Sequence, residues 1–220
     1  MKDNGLLVQY FNANTPADQT LWAKAAKDAV TLKKIGATAV WFPPATKGAA
    51  GKEDMGYAPY DLYDLGEFNQ KGSVGTRYGT KKEYLEAIDA MKAQGINVYA
   101  DIAVRQKLGA DSVEKVTAAD FNAKDIPQMI GNKKIVGALS KFTFAGRRSK
   151  YSKFKWNWNH FAGIDWKQDD FKKRVCELSG MTEEEAEKKY KFSKYDYIIG
   201  SELDLYNQEV YDELMTWAKW

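Results

Sequence analysis

The chain has 220 residues, 44% hydrophobic and 14% aromatic, enough apolar matter to bury a core and too much for intrinsic disorder. A net charge of only +3, from 33 basic and 30 acidic residues, excludes a strongly polyanion-directed protein, so no nucleic acid partner is expected. Cys176 is the one cysteine, which excludes an intrachain disulfide and gives no sign of an oxidising compartment.

No stretch approaches the ~18 apolar residues that a membrane span needs, so no membrane partner is expected. The apolar run after Gly5 is too short for a secretory signal and has no cleavage site, which makes a cytoplasmic protein the default. Residues 6–11 (LLVQYF) read as a strand, and the polar residues 12–20 as a loop. Thr20 is placed to cap a helix whose apolar stripe is Trp22, Ala25, Ala26, Ala29, Leu32 and Ile35, with Gly36 just past its end. Residues 37–42 (ATAVWF) form the second strand, stopped by Pro43 and Pro44. Residues 56–84 make a connection too long and too aromatic to be idle. Its Tyr57, Tyr60, Tyr63, Phe68 and Tyr78 stand among Asp61, Asp64 and Glu67. A tyrosine has a flat apolar face and a polar rim, which suits a sugar ring, and equally suits a packed loop under a sheet.

Thr80 and Glu83 form a capping box ahead of a helix with Leu85, Ile88 and Met91 on its apolar stripe, closed by Gly95. Residues 96–104 (INVYADIAV) are the third strand, buried like the second. Alternation of apolar strands with helices predicts a parallel sheet. The alternation then stops. Residues 105–200 read as irregular, with Thr/Val/Phe patches, the aromatic run Phe154, Trp156, Trp158, Phe161 and Trp166, and a charged stretch over 167–194. Thr182 and Glu185 in that stretch predict one more short capped helix. Residues 207–220 close with Val210, Leu214 and Trp217 at helical spacing.

The strings GYAPYDLYDLGEF and QKGSVGTRYGTKKEY, with LLVQYF, TAVWFPPATKG, INVYADI, KFTFAGRRSKYSKFKWNWNHFAGIDW and YDYIIGSELD, closely resemble the α-amylase family of glycoside hydrolases (family 13), in its bacterial liquefying branch. The resemblance covers nearly the whole chain. It implies an α/β fold, a partial TIM (β/α)8 barrel of three strand–helix units over residues 1–104. A domain B insertion after the third strand would fill 105–204, and the third barrel helix 205–220. A complete barrel takes roughly 250 residues, so the expectation is less than half of one, with an open sheet edge that self-association or a second chain would cover.

For chemistry, the resemblance implies retaining hydrolysis of α-1,4-glucans by carboxylates on the fourth and fifth strands, with a third acid after the seventh. None maps onto this chain, so no catalytic residue is assigned and the chain is expected to be inactive alone. The third-strand motif, in the family Asp-Val-Val-x-Asn-His, here reads Asp101 to Gln106. Arg105 stands where the resemblance implies a calcium ligand, and a guanidinium has donors only, so the family calcium is expected to be absent. Asp196, Glu202 and Asp204 fall on family acidic positions as remnants of that site, or as a salt-bridged surface. A bidentate pair of one of them with Arg105 is the specific expectation. Gln106 stands where a sugar-contacting histidine is implied, and Tyr57 matches a stacking tyrosine, so these two are the candidate substrate-binding residues for a weakly bound α-glucan. Ala13 and Asn14 fall on an aromatic pair of the family. His160 has no metal-ligand neighbours in the sequence and reads as structural. Arg147, Arg148 and the lysines of 150–155 are a weak nucleic-acid signal that the resemblance explains better. Three readings stay open: an inactive part of a hydrolase, a sugar-binding or regulatory module, and a half-barrel that assembles with another chain.

Overall fold

In the computed structural model, residues 4–122, 125–166, 173–177 and 200–220 are described. They fall into two compact units, residues 1–103 with 144–152, and residues 104–143 with 153–220.

The first unit runs β1 (Leu7–Gln9), α1 (Leu21–Lys34), β2 (Ala39–Phe42), β3 (Lys47–Gly48), β4 (Pro59–Asp61), α2 (Lys81–Ala93) and β5 (Asn97–Ala100). Strands β1, β2 and β5 form a parallel sheet in that order, with Leu7 beside Ala39 and Val40 beside Val98. Parallel neighbours need a crossover, and α1 and α2 supply it. Both helices press their apolar stripes on the sheet. Trp22, Ala25, Ala29 and Leu32 of α1 and Tyr84, Ala87 and Met91 of α2 close around Val40 and Phe42. The Trp22 ring sits 5.2 Å from Phe42, 5.4 Å from Tyr78 and 4.8 Å from Tyr84, centroid to centroid.

Three local expectations are corrected. Thr20 does not cap α1: its backbone is helical and its hydroxyl donates to Asp18 Oδ1 at 2.8 Å instead. Ile35 and Leu85 lie exposed, because α1 ends at Lys34 and because the core face of α2 is Tyr84, Ala87, Ile88 and Met91. The third strand is not buried: Asn97, Tyr99 and Ala100 are exposed and Val98 is half-buried. Strand β5 is an outer strand of this sheet, and among the described residues nothing pairs with its far edge. The capping box of α2 is present in full: Thr80 Oγ1 accepts from Glu83 N–H, and the Glu83 carboxylate accepts from Thr80 N–H at 2.8 Å.

The second unit corrects the expectation of irregular chain. It holds β6 (Gln106–Lys107), β7 (Ser112–Asn122), β8 (Asp125–Lys141), β9 (Phe161–Trp166), β10 (Lys173–Glu177), β11 (Ser201–Leu203) and α3 (Gln208–Lys219). The strands form one six-stranded sheet ordered β6-β11-β9-β10-β7-β8, with antiparallel pairing throughout. Its period-two pattern is carried by small residues: Val116 and Ala118 on β7, and Val136, Ala138 and Ser140 on β8, are buried. Val113 and Ile135, as apolar as the buried residues, are exposed and mask that pattern in the sequence. Trp156 and Phe161 are buried in this unit, with Phe142 beside Phe161. The helix expected around Thr182 and Glu185 lies outside the described residues. Helix α3 follows its cap, the Asn207 side chain accepting from Glu209 N–H, and buries Val210. No helix among the described residues is long and apolar enough to cross a membrane.

Candidate functional site

The 56–84 connection in the first unit is built on buried charge. Lys47, on β3, is fully buried and donates from Nζ to the carbonyls of Val74 at 2.6 Å and Ser73 at 2.7 Å, with Asp64 Oδ2 at 3.6 Å. Burial pulls its ammonium below the usual lysine range, against the pull of Asp64 and Asp61. Asp64 Oδ1 in turn accepts from the backbone N–H of Gly66 and Glu67, both at 2.9 Å. Asp61 Oδ2 meets Arg147 Nε at 2.7 Å and Gln70 Nε2 at 2.9 Å. Arg147 Nη1 reaches the carbonyls of Lys150 and Ser152. Arg147 is thus an internal clamp and not part of a surface basic patch. Sequence reasoning missed this network. The only signal for it was the crowding of Asp61, Asp64 and Glu67 among aromatics.

At the edge of the network, Glu67 accepts from Lys81, Tyr151 and Lys150. Partial burial alone would raise its carboxyl. The hydrogen bonds from Lys150, Tyr151 and Lys81 outweigh that and hold it at about 2.

Tyr60, Tyr63 and Tyr78 are buried and serve as core, whereas Tyr57 keeps 41% of its surface exposed. Its hydroxyl donates to Asp101 Oδ2 at 2.7 Å. Partial burial, then the hydrogen bond and negative charge of Asp101, push the phenol above its ordinary value, so it remains a donor at neutral pH. Ala13 and Asn14 lie on the wall of a shallow groove with Tyr10, Phe11, Lys24 and Asp28.

In the second unit, Arg105 Nε donates to Glu202 Oε1 at 2.8 Å, and Gln106 on β6 stands opposite Glu202 on β11. The expected bidentate fork does not form on Glu202, whose Oε2 is buried without a hydrogen-bond partner. Asp204 Oδ1 accepts from Tyr206 N–H at 3.1 Å. Asp196 lies outside the described residues. His160 is buried: its Nδ1 accepts from Asn157 N–H at 3.0 Å and its Nε2 faces Glu209 Oε2 at 3.1 Å, which places the ring proton on Nε2. Tyr57 belongs to the first unit and Gln106 to the second.

Parallel strands layered with helices, followed by an antiparallel sheet, place the chain in the α/β class. Sequence comparison carries this further. An α-amylase of Geobacillus stearothermophilus is 45% identical over 218 residues, 99% of this chain and 40% of that protein. A glucan 1,4-alpha-maltohexaosidase of Bacillus sp. (strain 707) is 41% identical over 219 residues, again 99% of this chain and 42% of that protein. A cytoplasmic alpha-amylase of Escherichia coli (strain K12) is 37% identical over 226 residues, 99% of this chain and 44% of that protein. Along 99% of its length the chain is thus similar to α-amylases, and it spans about 40% of the length of these relatives. Among solved structures, a truncated alternansucrase from Leuconostoc mesenteroides NRRL B-1355 matches with a TM-score of 0.51 at 23% identity, over 62% of this chain and 13% of that one, a likeness of fold alone. No protein-family model matches the chain.

Proposed function

We propose that the chain supplies three strand–helix units of a (β/α)8 barrel and a domain B-like insertion to a hydrolase of α-1,4-glucans. Taken alone, it holds glucan weakly and does not cleave it. Identity of 37–45% along 99% of the chain carries this reading. The parallel β1-β2-β5 sheet crossed by α1 and α2 supports the barrel part.

Inactivity follows from what retaining hydrolysis needs: two carboxylates about 5–5.5 Å apart, one free to attack and one able to donate a proton. The described acids around Tyr57 and Arg105 have other duties. Asp61 is tied to Arg147, Asp64 to backbone N–H groups, Asp101 to Tyr57 and Glu202 to Arg105. The residues at Arg105 do not fit calcium either. Calcium needs six to eight oxygen ligands, and here, among the described residues, the guanidinium of Arg105 faces the carboxylate of Glu202. A cytoplasmic setting belongs to the same proposal, supported by the single cysteine and the likeness to the cytoplasmic amylase of E. coli.

Calorimetry with long maltodextrins, with Tyr57→Ala as control, and reducing-sugar release from starch test the proposal. Weak heat that Tyr57→Ala abolishes, with release at background, is the expected result. Release above background overturns the inactivity, and no heat overturns the binding.

A second reading, assembly with another chain or another copy, is favoured by β5. Its outer edge has no partner among the described residues, and Tyr99 on it is 59% exposed. A monodisperse monomer by light scattering at all concentrations would exclude self-association.

A further inference from the structure

Tyr57 is exposed, yet little about its placement is loose. Gly56 before it takes φ +93°, and a Cβ there would fall 2.6 Å from the Pro44 side chain, so the loop is seated on the stop that ends β2. Asp54 Oδ1 accepts from Gly56 N–H at 2.7 Å, and the buried Tyr78 donates its hydroxyl to the Met55 carbonyl at 3.0 Å. The backbone on the N-terminal side of Tyr57 is therefore held from two directions.

The side chain is held from a third. Asp101 directly follows β5, and its N–H donates to the Phe42 carbonyl at 2.9 Å, which continues the β2–β5 ladder by one residue. A carboxylate at that place is carried by the sheet and not by a loop. It receives the Tyr57 hydroxyl at 2.7 Å, a bond between a phenol and a charged acceptor and thus of the stronger kind. A tyrosine without such a bond samples several rotamers, and stacking on a ligand would have to freeze them. A ring frozen beforehand spares the ligand that cost.

We propose that Asp101 is a positioning residue for sugar binding: from the end of β5 its carboxylate sets the ring plane of Tyr57, so that an exposed aromatic face meets a pyranose ring. This rests on the reading of Tyr57 as a glucan contact. Asp101 acts only through Tyr57 and takes no proton from the sugar.

The test compares the full chain with Asp101→Asn, Tyr57→Phe and the double variant, by calorimetry with maltoheptaose. Tyr57→Phe keeps the ring and removes the same hydrogen bond, so it stands in if Asp101→Asn fails to fold. Each single variant is expected to bind roughly fivefold to tenfold more weakly, the size that loss of one charge-assisted hydrogen bond brings. The double variant is expected to be no weaker than either single one. Ultraviolet titration of the tyrosines supplies a readout that a merely structural role would not move. In Asp101→Asn the Tyr57 phenol ionises at lower pH than in the parent, with a smaller fall at Tyr78, which feels the Asp101 charge without a hydrogen bond to it; the larger, Tyr57 part of the difference is lost in Tyr57→Phe. Parent-like binding by Asp101→Asn, or losses that add in the double variant, would overturn the positioning role alone. A parent chain that gives no heat with maltoheptaose overturns the reading of Tyr57 as well.

Discussion

Arg147→Met is the sharpest perturbation of the network that organises the first unit. Methionine replaces the apolar stem of arginine and removes the guanidinium. In the parent, Arg147 and Asp61 side chains are each 1% exposed, with Nε and Oδ2 2.7 Å apart. The guanidinium also satisfies the carbonyls of Lys150 and Ser152 at 2.6 and 2.8 Å, and lies 4.9 Å from the Phe144 ring and 5.2 Å from the Tyr63 ring. The substitution leaves Asp61 a buried carboxylate with Gln70 Nε2 and the Tyr63 N–H as its remaining donors. Removing one partner of a buried pair costs about 3–5 kcal/mol, because the other charge stays desolvated. Whole domains are stable by only about 5–15 kcal/mol, so this is a large share. At about 2–4 °C per kcal/mol for a chain of this size, the melting temperature falls by about 6–20 °C. Thermal and urea melts followed by circular dichroism measure it. Adding Asp61→Asn to Arg147→Met should recover part of the loss, since the stranded charge is then gone. A melting temperature within about 2 °C of the parent for Arg147→Met, less than 1 kcal/mol on the same scale, would refute the reasoning.

Glu67 sets an acid limit. Its folded carboxyl sits at about 2 against an ordinary 4.5, so the unfolded chain takes up the proton first as pH falls. The stability from its hydrogen bonds is complete above pH 4.5 and is lost as pH falls towards 2. Glu67→Gln should flatten the dependence of urea stability on pH in that window; unchanged slopes would refute the assignment. Thr80→Ala removes a real cap and should cost about 1 kcal/mol, whereas Thr20→Ala should stay within about 0.5 kcal/mol, both read from urea melts. Millimolar calcium should leave the melting temperature unchanged, since a ligand that binds the folded state must raise it. A clear rise would show that the folded chain binds the ion and would refute its expected absence.

Local chemistry marked much of the first unit in the sequence. Period-3.6 stripes, the Thr80 and Glu83 box and the glycines at 36 and 95 placed α1 and α2 to within a residue or two, because helix signals act over one turn. Strands β2 and β5 were located by their apolar runs, but the run 96–104 overshot β5, which is only Asn97–Ala100, and the exposure of β5 was not foreseen. An apolar strand reads the same in the middle of a sheet and at its edge. The sheet of the second unit stayed hidden because its buried face is made of Val, Ala and Ser, and because Ile135 faces water.

The candidate site divides the same way. Tyr57 and Arg105 stood out by their places in motifs, and a pairing of Arg105 with one of Asp196, Glu202 and Asp204 was expected, with no choice among them; the structure has Glu202. The one-armed geometry of that pair was not expected, and neither were Asp101 as the partner of Tyr57 and Arg147 as the partner of Asp61, 44 and 86 residues away in the chain. The amino-acid order alone determined ancestry and the placing of helices, which depend on neighbours within a few positions. Which charges are buried together, and which tyrosine among several faces the solvent, was decided only when distant segments met. Desolvation and hydrogen-bond geometry are properties of that meeting, and no stretch of sequence carries them by itself.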